Sequence, residues 1–263
     1  MVFITISLVA SIVTPLAIIE WILHISWHAP LLPTPVGLLS NDPYTYTAHV
    51  ANFRGWLHTS YYQVPFETNS HGLRDLERPY KKPSGTFRLL AIGDSCVEGQ
   101  GIRFDQLFLR QAELILNHEI GTEDKFQIIK VGVGGWGPVN EYNYLIQQGW
   151  RYEPDAVLIV FFNGNDFTDA LAPDQFVAYR GIRLEKEKER TVNSFTNLKV
   201  TLRKNIYLYG YIVDLLRSIT MDNRERYAED LSILSYCGPK DGLPLQGVRA
   251  VVKKFRQWSD KNN

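Results

Sequence analysis

Apolar positions fall into two patterns along the chain: one long uncharged run at the start, then short runs alternating with helical periods. From Val2 to Ile19 no residue is charged; Glu20 follows, and Trp21-Ile22-Leu23 resumes the apolar run. A membrane-crossing helix needs about 20 predominantly apolar residues, so a transmembrane anchor is expected over residues 1–28. A secretory signal would carry a positive leading segment and a small-x-small cleavage site, and neither is found. A buried helix of a soluble domain is the alternative by length. The first Lys or Arg is Arg54, so flanking charge does not set an orientation.

Residues 29–64 read as an extended stalk or linker, rich in Pro, Tyr and Thr, with Asn41-Asp42-Pro43 as a turn signal. The irregular character continues to Lys81-Lys82-Pro83-Ser84-Gly85. A regular rhythm then begins. Phe87 to Ile92, Phe126 to Val131 and Ala156 to Phe162 are short apolar runs suited to buried strands. Between them, residues 104–120 and 138–150 have helical spacing. Strands alternating with helices predict βαβ units and a mostly parallel sheet. Beyond Asp166 a loop-rich stretch over 169–200 is expected, then amphipathic helices over 205–219 and 248–258 around the turn Asp241-Gly242-Leu243-Pro244, with no further strand.

Composition narrows the function. The 263 residues carry 28 basic and 28 acidic side chains, which excludes the basic footprint of a nucleic-acid binder. The alternating run Glu185 to Arg190 suits a solvated face. Cys96 and Cys237 form no metal-ligand spacing, and the six histidines all precede residue 119.

Candidate chemistry gathers in three loops at the predicted carboxyl ends of the strands, where parallel α/β sheets hold their working residues. These are Gly93-Asp94-Ser95, Gly132-Val133-Gly134-Gly135-Trp136-Gly137 and Asn163-Gly164-Asn165-Asp166. Each has an ordinary reading: Asp and Ser cap helices, and asparagine is a common turn residue. The glycine run also fits the dinucleotide fingerprint, which expects an acidic residue about 20 positions on, at the end of the next strand. Asp155 has that count but precedes its strand; Asp166 lies at the right end but too far along.

In order, the three loops resemble the blocks of the SGNH hydrolases, also called GDSL esterases and lipases. Asn69 to Glu77, Lys82-Pro83, Phe87-Arg88 and Gly93 to Gly101 resemble the membrane-anchored bacterial branch of that family, over roughly residues 65–170. The resemblance implies a flavodoxin-like three-layer α/β domain over 65–263, behind one transmembrane helix and outside the cytoplasm. It implies Ser95 as nucleophile. It also implies an oxyanion hole from the N–H groups of Ser95 and Gly135 (Gly134 if shifted by one) and the side-chain amide of Asn165, with Asp94 and Asp166 in support. The implied partners are a membrane and an acyl ester of a glycan, lipid or small molecule, with no metal or cofactor. An O-acyltransferase and a non-catalytic tethered binding protein are the alternatives on the same frame.

One departure matters. The family's general base is a histidine in a late Asp-x-x-His block, and no histidine follows Asn165. A serine without a base is a poor nucleophile at neutral pH. A C-terminally truncated domain, inactive as it stands and with its apolar third strand at an open edge, is therefore expected. His71 is the stand-in base weighed, His118 is expected at the surface, and Cys96 is expected as a buried inert thiol.

Overall fold

The structure is a computed structural model and describes residues 2–26, 34–58, 62–121, 125–189, 192, 194–220 and 243–262. Cys237, residues 29–33 of the expected stalk and the Asp241-Gly242 part of the expected turn lie outside these.

A 25-residue helix, α1 (Val2–Ser26), opens the chain. At 1.5 Å per residue it measures about 37 Å, and it is long and apolar enough to cross a membrane. Two antiparallel hairpins follow, β1 (Leu39–Asp42) with β2 (Tyr46–His49), and β3 (Arg54–His58) with β4 (Gln63–Glu67). Next come β5 (Phe87–Gly93), α2 (Ser95–Glu98), α3 (Phe108–Ile120), β6 (Phe126–Gly132), α4 (Pro138–Gln147), β7 (Ala156–Val160) and α5 (Asp166–Asp169). A third hairpin, β8 (Phe176–Tyr179) with β9 (Ile182–Glu185), leads to α6 (Lys186–Glu189), α7 (Ser194–Asn205), α8 (Tyr207–Thr220) and α9 (Leu243–Asn262).

The central sheet is parallel, in the order β6-β5-β7. Its apolar residues alternate between two helical layers. Leu90, Ile92, Ile129 and Val131 face a core shared with Trp136, Tyr144 and Leu145, while Ala91 and Ile128 face Val97 and Leu109 of the α2–α3 side. Both faces of β5 and β6 are covered, which is why these two strands are mostly apolar runs. Each fully buried Leu or Ile here contributes about 1.5–3 kcal/mol.

Two expectations are corrected. The stretch read as a stalk is part of the domain: Leu38, Leu39, Leu57 and Val64 are buried in the main core. Each strand of the two hairpins reaches that core through at most two residues, too few to set up a readable period. A further hairpin, β8–β9, follows Asp166 where only loop and helix were expected. As expected, β7 is an edge strand with no strand beyond it among the described residues. Val157 and Ile159, like Phe255 and Trp258 of α9, are partly buried against the main core, while Leu158 stays 39% exposed.

The segment before β5 straps the sheet from outside. Asp75 forms a buried ion pair with Lys130, and Arg78 reaches Glu113 at 2.7 Å. Glu113 also accepts the Ile128 N–H at 2.6 Å. Arg88 is fully buried and donates to the carbonyls of Pro79, Tyr80 and Tyr152 and to Gln127 Oε1.

Candidate active site

Register brings the three loops together. Gly93 lies opposite Gly132 on one side and Val160 on the other, so the chain leaves all three strands at nearly the same height. At the first exit Asp94 caps α2, its Oδ1 accepting the Cys96 N–H at 2.8 Å. Ser95 follows, half-buried. Its hydroxyl is 3.5 Å from Asp94 Oδ2, a weak contact at the limit of hydrogen bonding. The far end of this short helix is closed by Arg74, which donates to the carbonyls of Glu98 (3.0 Å), Gly99 (2.6 Å) and Ile102 (2.6 Å). The arginine of the Asn69–Glu77 motif therefore holds the element that carries Ser95.

Gly132 lets α2 sit directly on the end of β6. A Cβ there would lie 2.2 Å from Glu98 N and 2.8 Å from Asp94 O, both backbone atoms. Val133 to Trp136 then form a turn closed by Trp136 N–H to Val133 O at 3.0 Å. Gly135, with φ +81°, occupies its third position, where a left-handed residue favours glycine. Behind the turn, Glu98 accepts from His49 Nε2 at 2.8 Å, and both side chains are buried. Burial alone would raise the Glu98 carboxyl. The His49 hydrogen bond and charge, with Arg183 and the Gly134 N–H, instead hold it below its ordinary value. Gly134 N–H is thereby directed to Glu98. Among the described residues, neither the Ser95 N–H nor the Gly135 N–H has a hydrogen-bond acceptor. Of the two glycines, Gly134 has its N–H committed and Gly135 has its N–H open.

At the third exit Asn165 stands at the N-cap of α5. One hydrogen of its amide goes to Asp169 Oδ2 at 2.6 Å, and its Oδ1 is buried without a partner. Asp166 is 1% exposed and accepts the Phe162 N–H at 2.5 Å. Burial pushes its carboxyl up to about 7; the Phe162 hydrogen bond opposes this, and the charges of Asp94 and Asp169 add to it. Burial likewise raises Asp94 and Asp169. Glu141 of α4 is wholly buried with neither oxygen partnered. Burial first, then Asp166 and Asp94, push it well above the carboxylate range.

Above this acidic floor lies Arg183 of β9. Its Nη2 donates to Gly134 O, and its guanidinium lies 5.2 Å from the centre of the Phe176 ring. A Cβ on Gly135 would meet it at 3.0 Å. Among the described residues no group of three or more His, Cys, Asp or Glu is arranged to hold a metal ion.

The structure thus gathers Ser95, Gly135, Asn165, Asp94 and Asp166 at one end of the sheet. It does not bring His71 to them: Nδ1 is 2.5 Å from Tyr152 Oη and the ring stacks on Tyr80. His118 is exposed late in α3. Cys96 is exposed rather than buried, yet burial of its thiol and the neighbouring Asp94 charge raise it to about 11, so it is protonated at neutral pH. His49, bonded to Glu98, and Arg183, in contact with the glycine loop, were not singled out from the sequence. Each lies in a stretch read as irregular, and no local pattern marks either one. Compared with known protein families and with curated proteins, the chain matches no family model and no curated protein.

Proposed function

We propose that this chain is a membrane-tethered SGNH-type domain that receives an acyl ester of a glycan, lipid or small molecule at Ser95. The observation that carries this reading is the pair of unbonded N–H groups at Ser95 and Gly135, on loops that leave neighbouring strands at the same height. The Asn165 amide, with one hydrogen uncommitted, is the third donor. The strand order, second-first-third, is also that of the opening of a flavodoxin-like sheet. In this reading Ser95 Oγ attacks the ester carbonyl carbon, and the carbonyl oxygen takes the negative charge facing the three donors. The bond from the carbonyl carbon to the ester's alkoxy oxygen then breaks, the alcohol leaving with the proton given up by Ser95 Oγ. Water, or a second hydroxyl in the acyltransferase form, attacks the acyl-serine, takes the acyl group and returns its proton to Oγ. The hydrophobic α1 tethers the domain.

The weak member is the base. Among the described residues Ser95 Oγ has only Asp94 nearby, and the imidazoles of His49 and His71 are engaged elsewhere. This placement favours, as second reading, a tethered protein that binds its ester without turning it over. One experiment separates the two. The full chain in detergent micelles is treated with a fluorophosphonate probe and assayed on an activated aryl ester, beside Ser95→Ala. The enzyme reading expects labelling at Ser95 that is lost in Ser95→Ala. It also expects ester hydrolysis by the wild type faster than the roughly 10³–10⁴ over water that an oxyanion hole and binding give without a nucleophile, a level to which Ser95→Ala should fall. Wild-type protein that is not labelled, or labelling that survives Ser95→Ala, overturns it. Binding of the ester with neither activity supports the second reading.

A further inference from the structure

Glu20 is the one charge within the apolar face of α1, and its partners are unusual. Its two carboxylate oxygens accept the backbone N–H groups of Tyr207 and Leu208, each at 2.8 Å. These are the first two amides of α8, which no preceding turn can satisfy, and a carboxylate there is favoured by the helix dipole. The His24 ring meets Tyr207 edge-on at 4.7 Å. So α8 starts against the last two turns of α1, and its position is fixed by hydrogen bonds to a backbone end rather than by side-chain chance.

The α7–α8 hairpin attached at this point exposes apolar side chains in order. On α8, Ile212, Leu215 and Leu216 are 45%, 47% and 55% exposed, at the i, i+3, i+4 spacing of one helix face. On α7, Phe195 and Leu198 are at least half exposed. Trp21 of α1, next to Glu20, is 64% exposed. Lys199 and Lys204 are exposed along the same α7, which ends at Asn205, just before the junction with α8. At 14 residues α8 is about 21 Å long, too short to cross an apolar core of about 30 Å.

We infer that the α7–α8 hairpin lies on the bilayer, its apolar face in the boundary between headgroups and acyl chains and its lysines among anionic headgroups. An amphipathic helix with cationic flanks takes this position in general. Here the surface is continuous with the helix that enters the same membrane. The inference rests on the reading of α1 as a membrane-crossing anchor. Anchor and hairpin together then hold the domain at two points, so that it cannot rotate freely about a single tether.

The test places an environment-sensitive fluorescent amino acid at residue 13, 186, 212 or 216 of the full chain. The protein is reconstituted into phosphatidylcholine–phosphatidylglycerol vesicles containing lipids with a nitroxide at a shallow or a deep acyl carbon. Position 13 should be quenched by the deep label, positions 212 and 216 by the shallow one, and position 186, in exposed α6, by neither. If 13 is quenched and 212 and 216 are not, the inference falls and the anchor stands. If 13 is also unquenched, the anchor reading fails and takes the inference with it. Blue-shifted emission at 212 and 216 without quenching would mean that protein covers the face, a second copy included, and overturns the inference as well.

Discussion

Asp166 is the residue at which the site's electrostatics can be measured directly. Its carboxyl is pushed from an ordinary 3.8 to about 7, chiefly by burial. Three pKa units at about 1.4 kcal/mol each correspond to on the order of 4 kcal/mol at most. The residue is 1% exposed, so solvent screens little of this. The sign follows from proton binding: between pH 3.8 and 7 the folded chain keeps a proton that the unfolded chain releases. Stability therefore falls as pH rises through that window and levels off above it. Asp166→Asn keeps an oxygen to accept the Phe162 N–H and removes the charge. The variant should match the wild type near pH 4 and exceed it by a few kcal/mol near pH 8, the gap opening in between. The measurement is urea unfolding in micelles at several pH values, followed by near-ultraviolet circular dichroism. A difference that stays constant across the range refutes the assigned burial of that carboxyl.

Three further predictions test the same region. Gly132→Ala should abolish folding of the domain, because its Cβ would fall 2.2 Å from a backbone nitrogen that no rotamer can move; wild-type protease resistance would refute this. His49→Ala should cost about 1–3 kcal/mol in urea unfolding, because the buried Glu98 carboxylate loses its hydrogen-bond partner. A cost under about 1 kcal/mol, the value of an exposed pair, would mean that Arg183 alone suffices for Glu98. Asn165→Ala should lower any Ser95-dependent ester hydrolysis by roughly 10²–10³-fold, and an unchanged rate would reduce Asn165 to a turn residue.

The sheet was legible because its central strand is buried on both faces. Leu89 to Ile92 had to be apolar throughout, Ala156 to Val160 is an equally unbroken apolar run at the edge, and the glycines and polar residues beyond them mark where each strand stops. The hairpins were not. In β4 only Val64 and Phe66 face the core, with Pro65 between them, a pattern too short to separate from proline-rich loop. β8 and β9 bury no residue fully; the charged Arg183 is what ties them to the site, and charge ordinarily signals solvent.

The same logic explains which parts of the site could be read. Ser95, Gly135 and Asn165 each stand a few residues past a strand end, so their neighbours in sequence carry the signal. His49 acts on Glu98, 49 positions away, and Arg183 acts on Gly134, 49 positions the other way, so nothing adjacent announces either one. Yet these two bear on whether the proposed site can hold a negative charge. Asp94, Glu141, Asp166, Asp169 and Glu98 lie near one another at this end of the sheet, and ionised carboxylates there would oppose the oxyanion of the proposed reaction. Burial that keeps Glu141 protonated and Asp166 half-protonated near neutral pH removes part of that charge. His49 shares Glu98, and Arg183 sits within the field of Glu98, Asp169 and Asp94. In the proposed reaction the acidic cluster tolerates an oxyanion because desolvation neutralises some of its members, while the His49 hydrogen bond and the Arg183 guanidinium offset others.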